Sequence, residues 1–259
     1  MLYIVIFLYG LLVGSFLNAW IWRTYTGRKI SRGRSVCPHC KHQLAWYDLI
    51  PLVSWLALRA RCRYCKRPIS AQYPLVELGN AVLWVAIVGA INPTTLDGYF
   101  TTLIWLMVSS LLVAAFVFDL KWMLLPDQFM VPAIVLAAIW LLTQWLVFGR
   151  AELAWQQLMG AVLFAGAFFA LWYASRGKWL GDGDIRLALL MGLLLTPSQL
   201  VIAIFVSFNL GAVVGITMLV TGRAKRSSPM AFGPFLIIGL FTGFFYGQAL
   251  INWYLNFLA

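Results

Sequence analysis

The sequence predicts an all-α polytopic membrane protein with about eight transmembrane helices and a small cytoplasmic zinc-ribbon loop. Three observations lead to this fold class: the composition, the distribution of apolar runs and one group of four cysteines. Of the 259 residues, 63% are hydrophobic and 10% are charged, and the mean hydropathy is +0.87. A water-soluble globule needs far more polar surface than this composition supplies.

The apolar runs predict the helices. Seven of them are long enough to cross a hydrocarbon core about 30 Å thick. They lie near residues 2–22, 74–91, 99–118, 128–148, 156–175, 199–220 and 231–255. A shorter run, 185–196, follows Asp184. Counted as a span it gives eight transmembrane helices, and as a half-span or re-entrant segment it leaves seven.

The positions of Lys and Arg predict the orientation. If the N-terminus lies outside, the inside loops are 23–73, 119–127, 176–184 and 221–230. Together with Arg186 at a helix edge, these loops hold every Lys and Arg except Arg150. Because basic loops stay on the cytoplasmic side, we expect an N-out protein. The net charge of +11 is thereby explained without a nucleic acid partner, and the basic face is expected to attract anionic membrane lipids.

Residues 1–22 are expected to form a first transmembrane helix that is not cleaved. A secretory signal peptide begins with basic residues. Here the first positive residue, Arg23, follows the apolar run. Residues 23–73 then make up the one soluble segment of any size.

That segment carries a paired cysteine pattern. Two C-x2-C motifs are separated by 21 residues and use all four cysteines of the chain, Cys37, Cys40, Cys62 and Cys65. Two such motifs indicate a tetrahedral four-thiolate zinc site, since each presents two thiolates from one tight turn. A reducing cytoplasm favours thiolates over disulfides. Redox-active cysteines are the alternative.

The stretch between the cysteine pairs, 46–58, is apolar but too short to cross a membrane. Its aromatic residues and Pro51 suit an interfacial segment at head-group depth, or alternatively a segment packed as ordinary core. His39 and His42 are interpreted as loop residues, because four thiolates already complete a zinc site. A loop of this size buries little apolar surface, so zinc is expected to contribute much of its folding free energy.

Two carboxylates lie where apolar runs meet polar loops. Asp119 ends the third span and Asp184 precedes the run 185–196, in a chain with only eight Asp and Glu residues. Carboxylates near a bilayer are costly and are therefore functional candidates. Asp119 sits at a helix C-terminus, where the macrodipole disfavours an anion. Asp127, by contrast, can cap the fourth helix.

Asp184 ends the sequence Gly181-Asp182-Gly183-Asp184. The glycines allow a tight turn and close approach of another backbone. Asp184 either has a functional role or is the N-cap of the following helix. Arg186 is expected on another helix face, and Asp182, between two glycines, is expected to be mobile. Two carboxylates that face each other can share a proton, as an aspartic protease requires.

Several motifs together resemble one family, the bacterial prepilin peptidases or type IV leader peptidases, which are GxGD-type aspartic proteases of the inner membrane. The motifs are GSFLN (14–18), LAWYDLIPLVSWL (44–56), YPLVE (73–77), the segment 119–127, GDGDIRLA (181–188) and FGPFLI (232–237). The resemblance implies that Asp119 and Asp184 are the catalytic pair and that the four cysteines bind zinc. It implies type IV prepilins or pseudopilins as substrates and a protease core over 74–259. Many members also methylate the new N-terminus with S-adenosylmethionine.

Two other polar residues lie in predicted spans. Asn18 is expected to hydrogen-bond between helices. Glu77 could bind substrate, take part in methyl transfer or pair with an Arg of the zinc loop.

Other functional classes stay open at this point. The sequence contains no glycine-rich Rossmann-type motif for a methyl donor. A transporter or channel would use membrane carboxylates to bind cations, with the zinc ribbon as a regulatory domain. A non-catalytic secretion scaffold would tolerate Asp119→Asn, whereas a protease would not.

Overall fold

The computed structural model describes residues 1–31, 33–222 and 230–258. Most of the predicted loop 221–230, residues 223–229, therefore lies outside the described residues. The described chain forms α1 (Leu2–Tyr25), α2 (Val53–Ala57), α3 (Gln72–Ile91), α4 (Leu96–Trp122), α5 (Asp127–Leu146), α6 (Ala151–Ser175), α7 (Asp182–Leu194), α8 (Pro197–Val220) and α9 (Gly233–Leu258). A short 3-10 helix, Trp46–Leu49, precedes α2.

Seven of these helices are long and apolar enough to cross a membrane: α1, α3, α4, α5, α6, α8 and α9. They coincide with the seven long apolar runs of the sequence, so the all-α membrane fold is confirmed. The eighth predicted segment, α7, has 13 residues. At about 1.5 Å per residue it is too short to cross a core about 30 Å thick by itself. Most of its residues are buried, so it is an interior helix.

The chain divides into two compact units, residues 1–114 and 115–259. In the first unit α1 packs closely along α3 through small residues. A Cβ added at Gly10 would lie 2.6 Å from the Cα of Ala81, and one at Gly14 would lie 2.6 Å from the Cα of Glu77. Small residues bring helix backbones together in this way in membranes.

The predicted interhelical hydrogen bond of Asn18 is confirmed. Its side-chain amide donates to the carbonyl of Tyr73 at 3.0 Å, and its oxygen accepts from Gln72 at 3.3 Å. Asn18 belongs to α1, whereas both partners belong to the first turn of α3. The bonds therefore join the helix ends that border the cysteine loop.

In the second unit α8 packs along α9 and α7 packs against α6. A Cβ added at Gly192 of α7 would overlap the backbone of Ala161 in α6. On α9, one at Gly243 would lie 2.5 Å from the carbonyl oxygen of Gln199 in α8. This close packing holds α7, and the acidic motif at its start, within the helix bundle.

Candidate functional site

The two C-x2-C segments have the same backbone geometry. In each, the N–H of the first cysteine donates at 2.9 Å to the carbonyl five residues later, from Cys37 to His42 and from Cys62 to Arg67. The lysine after each second cysteine has a left-handed backbone, with φ of 60° and 59°. An isolated antiparallel bridge closes each turn, as in a zinc knuckle. The similarity of the two sequence motifs therefore extends to their structure.

The knuckles bring the four thiols together. The Sγ atoms of Cys37, Cys40, Cys62 and Cys65 all lie within 4.8 Å of one another. The distance between the Sγ atoms of Cys37 and Cys65 is 3.9 Å. Four thiolates about 2.3 Å from one zinc ion stand about 3.8 Å apart in a tetrahedron. The cysteine cluster could therefore hold one zinc ion.

Both histidines of the loop contact other loop residues. The Nδ1 atom of His39 lies 3.4 Å from a guanidinium nitrogen of Arg67. The ring of His42 lies against the ring of Tyr64, with centroids 3.6 Å apart. This agrees with their interpretation as loop residues.

Asp48 is a link between the knuckles that the sequence analysis missed. Its carboxylate accepts from Arg63 at 2.8 Å and from the Tyr64 hydroxyl at 3.1 Å, both in the second knuckle. Burial raises the pKa of the Asp48 carboxyl, but these two hydrogen bonds and one from the Ala45 N–H outweigh it and hold the pKa below its usual value. Asp48 therefore joins the segment after the first knuckle to the second knuckle.

The apolar segment 46–58 does not pack as core. The exposed fractions of Trp46, Val53 and Leu56 are 76%, 59% and 65%. These three side chains are therefore not packed as core. An interfacial role for the segment stays a prediction.

Glu77 is buried in α3 and holds the zinc loop by a backbone contact. Its carboxylate accepts from the N–H of Leu52 at 2.8 Å. Leu52 has a left-handed backbone, φ 58°, at the start of α2. Pairing with an arginine of the loop was one of three alternatives for Glu77, and among the described residues its loop partner is this N–H. Roles in substrate binding or methyl transfer stay predictions.

Asp119 lies in the last turn of α4 and is buried. The N–H of Gly233, the first residue of α9, donates to its carboxylate. A Cβ added at Gly233 would lie 2.5 Å from Oδ2 of Asp119. The beginning of one helix thus compensates the unfavourable position of Asp119 at the end of another, since the N-terminal end of a helix carries a partial positive charge.

Asp184 is the third residue of α7 and is also buried. The expectation that it opens this helix as its N-cap is wrong: α7 begins at Asp182, and Gly181 is the N-cap. The carboxylate of Asp184 instead accepts from the Gly181 N–H at 3.2 Å. Burial raises the pKa of Asp184 to about 7; the Gly181 N–H opposes this, and the charges of Asp119 and Asp182 add to it. The two buried carboxylates are therefore within electrostatic reach of each other.

Two family descriptions match the chain: "Bacterial Peptidase A24 N-terminal domain" over residues 8–91 and "Type IV leader peptidase family" over residues 105–216. The chain is 33% identical to a "Prepilin leader peptidase/N-methyltransferase" of Aeromonas hydrophila, over 98% of this chain and 94% of that protein. A protein of the same name from Myxococcus xanthus is 40% identical over 85% of this chain and 64% of its own length. The chain belongs to the type IV leader peptidase family. No solved structure matches it.

Family membership confirms the resemblance drawn from the motifs. With its seven apolar helices, this leader peptidase family member is a multi-pass inner-membrane protein. The chain is also 30% identical to the "Prepilin leader peptidase/N-methyltransferase" of Legionella pneumophila, over 99% of this chain and 95% of that protein.

Asp119 and Asp184 are called the acidic pair below. The residues around this pair differ in part from the sequence predictions. Arg186 turns away from Asp184, as expected, and its guanidinium lies 2.8 Å from the carboxylate of Asp182 and also contacts Asp127. Asp182 was expected to be mobile, but it lies in a helix and is held by Arg186. Asp127 is the first residue of α5, after the N-cap Pro126, so it is not itself the cap.

Leu125 is the second residue that the sequence analysis missed, after Asp48, and it lies near the acidic pair. A Cβ added at Gly183 would lie 2.7 Å from the Cβ of Leu125, and one at Gly233 would lie 3.3 Å from its Cδ1. Both glycines therefore make room for this side chain. A close approach does occur at Gly183, but its partner is the Leu125 side chain in the connection between α4 and α5 and not another backbone, as was predicted.

Proposed function

We propose that this protein cleaves the leader peptides of type IV prepilins and pseudopilins, with Asp119 and Asp184 as its catalytic pair. The observation that carries the proposal is the arrangement of two buried carboxylates, one at the end of α4 and one at the start of α7, that interact electrostatically. Paired carboxylates with different environments can act as acid and base in one reaction. The names of the relatives support the substrate class.

The environments suggest how the two carboxylates divide the work. Asp184, whose pKa is raised to about 7, is assigned as the member that carries the proton and polarises the scissile carbonyl. Asp119, whose carboxylate accepts from the Gly233 N–H, is assigned as the ionised partner because a backbone donor favours the charged form, and it would take a proton from the attacking water. The two then exchange roles as the leaving amine is protonated. This mechanism needs no covalent intermediate.

The charge distribution supports a site on the cytoplasmic side. Loops 23–73 and 119–127 and the segment 176–184 carry most of the Lys and Arg residues, which favours an N-out orientation with the zinc loop and the acidic pair inside. A substrate with a basic cytoplasmic leader before an apolar helix would present its junction at this membrane face.

Methylation of the new N-terminus is the second proposed activity, and the names of the relatives support it. It would require S-adenosylmethionine as the methyl donor. We also propose a structural zinc ion on Cys37, Cys40, Cys62 and Cys65, where four thiolates and two tight turns fit its tetrahedral geometry. Anionic membrane lipids are the expected partner of the basic face.

The test uses purified protein and a synthetic prepilin, with and without S-adenosylmethionine. Asp119→Asn and Asp184→Asn should each lower the cleavage rate at least about 100-fold, because each removes one half of an acid-base pair. Zinc content should not change. Asp97→Asn, the same substitution in the first turn of α4, is the matched control and should cleave normally.

Near-normal turnover in either variant would refute the assignment. A transporter would instead show ion-dependent flux that these variants abolish. A scaffold would show no cleavage by the unaltered protein and would support pilus assembly with Asn at both positions.

A further inference from the structure

Arg186 links the beginnings of two helices beside the acidic pair. One guanidinium nitrogen contacts the carboxylate of Asp127, the first residue of α5, and the other lies 2.8 Å from the carboxylate of Asp182, the first residue of α7. A planar guanidinium that engages two carboxylates with separate nitrogens fixes direction as well as distance. The start of α5 is thereby tied to the start of α7.

The segment tied down in this way is the short connection from α4 to α5. It comprises residues 123–126, between the end of α4 at Trp122 and the start of α5 at Asp127, and Met123 has a left-handed φ of 53°. Leu125 lies in this connection, and its side chain fits against Gly183 of α7 and Gly233 of α9. The connection is thus held by Leu125 between two glycines, and the helices on either side of it are held by Asp119 at α9 and by Asp127 at Arg186.

We infer that Arg186 is a positioning residue for the acidic pair, acting through Asp127 and Asp182 to hold the α4–α5 connection against the start of α7. Asp119 precedes this connection and Asp184 follows Asp182 in the same helical turn. Holding the α4–α5 connection against the start of α7 therefore sets the distance and direction between the carboxylates of Asp119 and Asp184. The two contacts of Arg186, with Asp127 and with Asp182, are called the clamp below. The effect of the clamp on catalysis rests on the proposed function, whereas its effect on the structure does not.

Exposure separates this role from a general contribution to stability. The exposed side-chain fraction of Arg186 is 34%, and those of Asp127 and Asp182 are 67% and 71%. Ion pairs with this much solvent contact contribute little to global stability. Small displacements of a catalytic group can nevertheless cost a large factor in rate. We therefore expect loss of Arg186 to change cleavage far more than folding.

The experiment is a double-mutant cycle on the full-length protein in detergent with a synthetic prepilin. Arg186→Gln should lower kcat/KM by about 10-fold to about 100-fold through misalignment of the pair. Asp127→Asn should lower it less, because Asp182 still holds the guanidinium. In the double variant, Asp127→Asn should cost nothing beyond Arg186→Gln, since the two residues act through one contact.

Two further variants separate positioning from charge. Arg186→Lys retains the charge with a single ammonium and should recover part of the lost activity. Lys178→Gln removes the same charge from the connection before α7, outside the clamp, and should cleave like the unaltered protein. If the losses from Arg186→Gln and Asp127→Asn multiply, or if Lys178→Gln has the same effect as Arg186→Gln, the inference is wrong.

Hydrogen exchange provides the readout that does not depend on activity. Backbone amides of residues 120–127 should exchange faster in Arg186→Gln than in the unaltered protein, and should be unchanged in Lys178→Gln. Unchanged exchange in Arg186→Gln overturns the clamp even if activity falls. If the unaltered protein cleaves no prepilin, the proposed function fails, while the exchange comparison still decides whether Arg186 holds the connection.

Discussion

Each carboxylate of the acidic pair accepts from a backbone N–H at the beginning of a helix. For Asp119 this N–H belongs to Gly233, and for Asp184 it belongs to Gly181. Backbone donors hold an anion without adding an ionisable partner, so both carboxyls keep the freedom to exchange a proton with substrate or water. An arginine in direct contact with either one would instead fix it as an anion. Among the described residues, the carboxylates that Arg186 contacts are those of Asp127 and Asp182.

The pH dependence of cleavage should report Asp184. Its pKa is raised to about 7, so its carboxyl is protonated below that pH and ionised above it. If it is the proton-bearing member of the pair, the rate should fall as the pH rises through about 7. Asp184→Asn should be inactive over the whole range. A rate that instead rises through this region would reverse the acid and base assignments.

Asp182 should shift this profile without being essential. Its negative charge raises the pKa of Asp184, so Asp182→Asn should move the alkaline fall to lower pH. Because Asp182 is exposed and paired with Arg186, we expect a shift of less than about one pH unit and retention of much of the activity. Glu152→Gln, an exposed acid at the start of α6, is the control and should leave the profile unchanged. An inactive Asp182→Asn with an active Asp184→Asn would move the catalytic role to Asp182.

At the scale of elements, local patterns were predictable and long-range partners were not. The C-x2-C spacing predicts the knuckles because each is a single turn whose bonds stay within six residues. The apolar run predicts that α7 starts at 185, three residues later than its observed start at Asp182, because Gly-Asp-Gly favours a turn by local propensity. In the structure this segment is helical, and its Gly183 packs against Leu125, a contact that local propensity does not include. The partners of Asp119 and Glu77 are backbone N–H groups, which every residue except proline has, so no sequence motif marks them.

The contact between the end of α4 and the beginning of α9 gives a prediction at the scale of elements. Gly233→Ala should strongly reduce cleavage, because the new Cβ would lie 2.5 Å from Oδ2 of Asp119 and 3.3 Å from Leu125. One of these groups must move, and the alignment of the pair is lost. Gly166→Ala in α6, where no atom lies within 4 Å of the added Cβ, is the matched control. Normal cleavage by Gly233→Ala would show that Asp119 does not need this contact.

At the scale of the whole molecule, the two chemistries belong to different units. All four cysteines lie within residues 1–114, and both members of the acidic pair lie within 115–259. The first unit combines helices that can fold in the membrane with a loop between α1 and α3 that has little core of its own. Contacts that hold this loop besides the knuckle turns include Asp48 to the second knuckle, Glu77 to α3 and Arg23 of α1 to the Gly33 carbonyl. A metal ion is therefore expected to matter for local rather than global order.

Removal of zinc should accordingly unfold the loop and spare the helices. Metal analysis of purified protein should find about one zinc per chain, as expected for four thiolates around one ion. After treatment with a strong chelator, amides of residues 35–70 should exchange rapidly, because metal binding supplies much of the folding free energy of such small sites. Helicity measured by circular dichroism should change little, since the backbone hydrogen bonds of the seven long helices are satisfied within each helix.

Asp48→Asn should make the loop lose zinc at a lower chelator concentration, by removing the link between the knuckles. Protein that contains no zinc as purified, or a loop whose exchange is the same before and after chelation, would contradict a structural metal.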